Sequence, residues 1–201
     1  MRRERIVADV SQLPTVVYGM RNLVSWGTTG FMIIEGFSLG LCAVTYVYLR
    51  KNTAVWPPHG TQLPQLLVPT INLAVMVLSL PLALWTKHRA ERMERGATRI
   101  GLVLSSIVAV VVFGLRLAEF ASLHTQWNSS AYGSIAWTIL GFQGTLILID
   151  MYDTIGITAI MFLRPESKWY PEVADNALYW IFTVASWIPL YFLIYFGPRW
   201  L

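Results

Sequence analysis

The chain has 201 residues, of which 55% are hydrophobic and only 13% charged, with a formal net charge of +4 and a mean hydropathy of +0.53. A water-soluble domain has about a quarter of its residues charged, so this composition excludes one and implies an all-α integral membrane protein. The positive balance does not point to nucleic acid, because the cations fall in connecting segments and not on one folded face.

Residues 1–21 are polar and basic and include Pro14. They are expected to lie along the membrane surface as a separate N-terminal segment. No apolar run precedes residue 22, so no cleavable signal peptide is expected. The remainder, 22–201, reads as one transmembrane domain with five apolar segments at about 22–49, 66–86, 100–123, 133–162 and 177–197. Each is long enough to cross about 30 Å of hydrocarbon as a helix. The fourth is too long for a straight crossing and is expected to tilt, kink or extend into water. Pro81 and Pro189 fall inside segments and predict kinks. Gly36-x-x-x-Gly40 in the first segment, and Gly133, Gly141 and Gly144 in the fourth, offer close-approach faces for neighbouring helices.

Orientation follows from the Lys and Arg of short loops. Arg2, Arg3, Arg5 and Arg21, then Lys87, Arg89, Arg92, Arg95 and Arg99, then Arg164 and Lys168 fall on one side. Only Arg50, Lys51 and Arg199 fall on the other. The N-terminus is therefore expected in the cytoplasm and, after five crossings, the C-terminus outside. On the outer side, Trp56-Pro57-Pro58-His59-Gly60 reads as a rigid extended turn with Trp56 at interface depth.

Five ionisable groups lie within the apolar segments: Glu35, Arg116, Glu119, Asp150 and Asp153. Each is a candidate site by default, because a charge at the bilayer centre costs about 2.5–3.5 kcal/mol or more unless neutralised or paired. Arg116 and Glu119 are spaced i, i+3 and share a helix face, which suits a structural ion pair. Asp150 and Asp153 share a face of the fourth segment. If Asp150 and Glu35 are level and adjacent they would share a proton; otherwise each would be protonated alone or bonded to a Ser, Thr or Tyr. His59, His88 and His124 all lie outside the segments, and Cys42 is the single cysteine. A haem or copper site needs clustered imidazole or thiolate ligands, so neither cofactor nor metal is expected in this chain. No phosphate-binding glycine loop, nucleophile elbow or paired-His helix is present, and no catalytic centre is expected.

The order of features resembles subunit III of haem–copper terminal oxidases in its short five-helix bacterial form, over about residues 20–197. The resemblance rests on Ile34-Glu35-Gly36-Phe37, Trp56-Pro57-Pro58-x-Gly60, Ala118-Glu119-Phe120, Ser130-Ala131-Tyr132-Gly133-Ser134, Gly141-Phe142-x-Gly144, Tyr179-Trp180-x-Phe182 and Trp187. Where the family reads Gly-Phe-His-Gly-x-His, this chain has Gln143 and Leu146 at the two His positions. Where it reads Tyr-Trp-His-Phe-x-Asp, Ile181 and Val184 replace His and Asp. Ile34 replaces a Ser, Arg116 stands where Gln is usual, and Asp150 stands where a small residue is usual.

The resemblance implies a non-catalytic subunit of an oxidoreductase complex of aerobic respiratory electron transport in the bacterial plasma (inner) membrane. It implies direct contact with subunit I, which carries haems and copper, and association with subunit II and other subunits. Bound phospholipid and support of proton uptake are implied as well. The electron donor, cytochrome c or quinol, is left open. The alternatives are a subunit III-like protein associated with nitric oxide reductase, and an independent proton- or cation-coupled transporter using Glu35, Asp150 and Asp153. The transporter reading lacks an inverted repeat.

Overall fold

The computed structural model describes residues 16–200; the expectation for the N-terminal surface segment falls mostly on residues 1–15, outside the described range. Five long helices carry the chain: α1 Leu23–Lys51, α2 Leu67–Glu91, α3 Arg95–Ser122, α4 Ala131–Leu163 and α5 Tyr170–Tyr191. A π turn, Phe192–Phe196, and a last helical turn, Gly197–Trp200, continue α5. All five are long and apolar enough to cross a membrane.

The starts of these helices follow from local chemistry. Asn22 caps α1 by accepting from the Val24 N–H, and Ser130 caps α4 by accepting from the Gly133 N–H. A Pro occupies the first turn of α5, where its missing N–H costs nothing. That helix begins at Tyr170, seven residues before the apolar run predicted at 177, because Asp175 and Asn176 are buried against other helices and do not form a loop. At the other end Pro189 withholds one ladder donor, and the Phe192 N–H is shared between the carbonyls of Ile188 and Pro189 as the backbone opens into the π turn. Around Pro81 α2 stays helical.

The helices do not pack simply in chain order. α2 lies against α3 and α5, α3 against α4, and α1 against α4 and α5. The residue 52–66 connection lets α1 stand away from α2 by crossing one end of the bundle. There Trp56 sits edge-on to Tyr46 and Tyr132, with ring centroids 5.3 and 5.2 Å away, and its indole N–H donates to the Tyr46 hydroxyl at 3.1 Å. Trp56 is therefore a packed residue at one end of the bundle, with Tyr46 as the polar partner of its N–H. Gly60 turns the same connection at φ +86°, a conformation open to glycine.

Close helix approach is set by single glycines. A Cβ on Gly101 would lie 2.4 Å from Thr86 Oγ1, so α2 and α3 meet over it. One on Gly133 would meet the Gln126 carbonyl oxygen at 2.3 Å. Gly36 faces Phe182 at contact distance, whereas Gly40 faces open space along the α1–α5 groove. The outer face of α1 stays apolar and exposed, with Ile33, Ile34 and Phe37 each about two-thirds accessible. Such a face in a bundle with this composition belongs against lipid or a partner subunit.

Candidate functional site

Among the described residues, the candidate ionisable groups fall into three places. The first is between α2, α3 and α5. Arg116 and Glu119 are both fully buried and form the ion pair expected from their spacing. Asn72 of α2 donates to Glu119 Oε1 at 3.1 Å. The guanidinium lies 3.8 Å over the Trp187 ring of α5 and touches Met76 Sδ at 3.9 Å. Gly144 of α4 makes the space: a Cβ there would stand 3.3 Å from Arg116 Cγ. A buried pair of this kind holds together better the more of its remaining donors and acceptors find partners. Arg116 Nε has no hydrogen-bond partner, while Asn72 serves Glu119 Oε1 and the Trp187 ring faces the guanidinium. Neither was evident in the sequence, since helix adjacency decides which residues meet.

The second place is Glu35 on α1. It is 4% exposed, and Oε1 accepts from the Tyr179 hydroxyl of α5 at 2.9 Å. Phe31 stacks near Tyr179 at 6.1 Å between ring centroids. Ile34, which occupies the family's Ser position, points away from the bundle at 65% exposure, so its change leaves the Glu35 contact untouched.

The third place joins α1, α4 and α5 toward the basic end. Asp150 is 2% exposed, whereas Asp153, one turn on, is exposed and accepts from Asn176 Nδ2 at 3.1 Å. Asp175 accepts from Ser25 Oγ of α1 at 2.7 and 3.0 Å. A cleft of about 280 Å³ runs past Asp150, Asp153, Glu172 and Asp175 and reaches Tyr179. Glu35 and Asp150 take separate hydrogen-bond contacts, Tyr179 for the first and Thr154 for the second, and do not bond to one another. Asp175, Asn176 and Ser25 were missed because their stretches read as polar loop and helix end.

The remaining motif residues are structural. Tyr132 is fully buried beside Trp56; Pro57, Pro58 and Gly60 shape the connection that seats it. Trp180 donates its indole N–H to Ser79 Oγ at 2.8 Å, and Phe142 packs on the main core, next to Gly141 on α4. Leu146 and Val184, at the family's second His and its Asp position, are both buried in that same core. Gln143, at the first His position, donates to the Thr183 carbonyl at 2.9 Å. Apolar packing thus replaces polar groups at two of these positions and a single backbone contact serves the third. Among the described residues no three His, Cys, Asp or Glu side chains gather as metal ligands.

The family model for cytochrome c oxidase subunit III matches residues 15–199. A probable cytochrome c oxidase subunit 3 from Nocardia farcinica is 32% identical, with 87% of this chain and 88% of that protein covered. Cytochrome c oxidase subunit 3 from Thermostichus vulcanus is 24% identical over 86% of this chain and 87% of its own length. The protein of that name from Synechocystis is 23% identical over 89% and 77%. With a match that runs from the residues before α1 to the end of the bundle, the chain belongs to the cytochrome c oxidase subunit III family.

Proposed function

We propose that this chain is the non-catalytic subunit III of a bacterial haem–copper terminal oxidase, seated in the plasma membrane against subunit I. The observation that carries the reading is the family match over residues 15–199, together with relatives of that name in bacteria. The exposed apolar face of α1 suits a partner subunit or lipid. An open apolar groove of about 650 Å³ between α1 and α5, floored by Gly36, Gly40, Ala43 and Leu190, suits a phospholipid acyl chain. Redox chemistry belongs to the haems and copper of the partner subunits; this chain contributes durability of the complex, lipid retention and support of proton uptake around Glu35.

Purification of the tagged chain from mild detergent tests this. Co-elution with a haem-containing chain, and reduced-minus-oxidised spectra of an oxidase, are the expected result. A solo, haem-free protein would overturn the subunit reading. Spectra of a nitric oxide reductase would move the chain to that complex.

A further inference from the structure

Asp150 differs from Asp153 and Asp175, the other two aspartates in the cleft between α1, α4 and α5. Its neighbours Asp153 and Asp175 have donors, but Asp150 has almost none: Oδ1 has no partner, and Oδ2 is only 3.5 Å from Thr154 Oγ1. Thr154 has one hydroxyl proton, and the better acceptor for it is Asn176 Oδ1 at 3.1 Å. The Asn176 amide in turn donates to Asp153, so this set of bonds is complete without Asp150.

The charges around Asp150 do not compensate for this. On α4 and α5 the cleft brings Asp153, Glu172 and Asp175, all acidic, with Tyr179 as the neighbouring phenol; α1 adds only Glu35, behind Tyr179. On its far side Asp150 lines a second, small cavity of about 20 Å³ reaching α2 and α3, which brings the hydroxyls of Ser79, Thr86 and Ser105 and no further charged side chain. Among the described residues, Lys87 of α2 places its charge nearer Asp175 than Asp150. A carboxylate at this depth, with like charges on one side and hydroxyls on the other, is stable only as the neutral acid. The small cavity is the size that holds a water, which needs about 10–15 Å³ of such volume and at least two polar partners.

We propose that Asp150 is a proton-exchange site, supplied from the basic end of the bundle through the acidic cleft and facing a single water site on its other side. The carboxyl passes its proton to the oxygen of a water hydrogen-bonded to it from the cleft while that water passes one of its own protons to the other carboxyl oxygen, so acid and water are both regenerated neutral and only the proton has been exchanged. The acidic residues of the cleft hold hydronium and water near its mouth and keep anions out. The site depends only on residues of this chain, so it stands or falls apart from the identity of the partner complex.

Infrared spectroscopy of the full-length chain in membrane vesicles tests it. The wild-type minus Asp150→Asn difference is expected to contain a protonated-carboxyl C=O band that shifts promptly on transfer to D2O. Thr28→Trp, which fills the cleft from α1, is expected to keep the band and slow its shift severalfold. A difference without a protonated-carboxyl band, a band that does not shift, or an unchanged rate in Thr28→Trp overturns the proposal. Should Asp150→Asn fail to fold, Thr28→Cys in a Cys42→Ala background carries the decision. A hydrated acidic cleft makes that thiol react severalfold faster with a cationic than with an anionic methanethiosulfonate reagent. Equal rates, or no reaction with either, overturn it.

Discussion

Replacing Glu119 with Gln would strand the Arg116 guanidinium in the centre of the bundle. Both side chains are fully inaccessible, and the cation's other contacts are the Trp187 ring face at 3.8 Å and Met76 Sδ at 3.9 Å. A desolvated cation–π contact is worth about 2 kcal/mol, which does not replace a counter-ion. Breaking a buried pair by removing one partner costs about 3–5 kcal/mol, and Glu119→Gln should fall in that range. Arg116→Met should sit at the lower end, since Glu119 can take up a proton and keeps the Asn72 amide at 3.1 Å. The double variant removes both charges while the apolar volume beside Gly144 stays filled, and should return to within about 1–2 kcal/mol of the parent. The singles are thus far from additive, with a coupling of about 4–7 kcal/mol, above the usual range of about 0.5–3 kcal/mol. Reversible unfolding by SDS titration of the four proteins in mixed micelles measures this cycle. A Glu119→Gln chain within about 1 kcal/mol of the parent, or a double variant destabilised by the sum of the singles, would refute the view that the pair is a single buried unit.

Three further expectations use the same logic. Gly101→Ala places a methyl 2.4 Å from Thr86 Oγ1 and 2.9 Å from Thr86 Cγ2, so unfolding should become easier by about 1–3 kcal/mol; adding Thr86→Ala removes both atoms and should recover much of the loss, and no recovery would mean that the helices are not in contact there. Trp180→Phe removes the indole donor to Ser79 Oγ and should cost on the order of 1 kcal/mol, whereas Trp180→Phe with Ser79→Ala should cost no more than the single change. Glu35→Gln keeps an acceptor for the Tyr179 hydroxyl at 2.9 Å, so assembly with partner subunits should be intact while activity during prolonged turnover declines faster; an unchanged time course would reduce Glu35 to a packing residue.

The number of helices, their approximate limits and the pairing of Arg116 with Glu119 could be read from one dimension. Hydropathy runs of membrane length and an i, i+3 spacing are local properties, and nothing in the bundle overrides them. The start of α5 could not be read in this way. Asp175 and Asn176 look like loop residues until Ser25 and Thr154, from two other helices, are placed beside them. Likewise, Tyr46 as the partner of the Trp56 N–H became visible only in the folded chain.

By itself, then, the sequence determined that this is a five-helix membrane protein, and it singled out the five ionisable groups that such a protein has to accommodate. Only the tertiary structure decided which helices meet. Because α1 packs on α4 and α5 instead of α2, Glu35 meets Tyr179 and makes no direct hydrogen bond to Asp150. Asp150, for its part, keeps Oδ1 without a donor, between an acidic cleft and a water-sized cavity. A carboxylate's role in a membrane is set by the partner opposite it, and that partner comes from a helix distant in sequence.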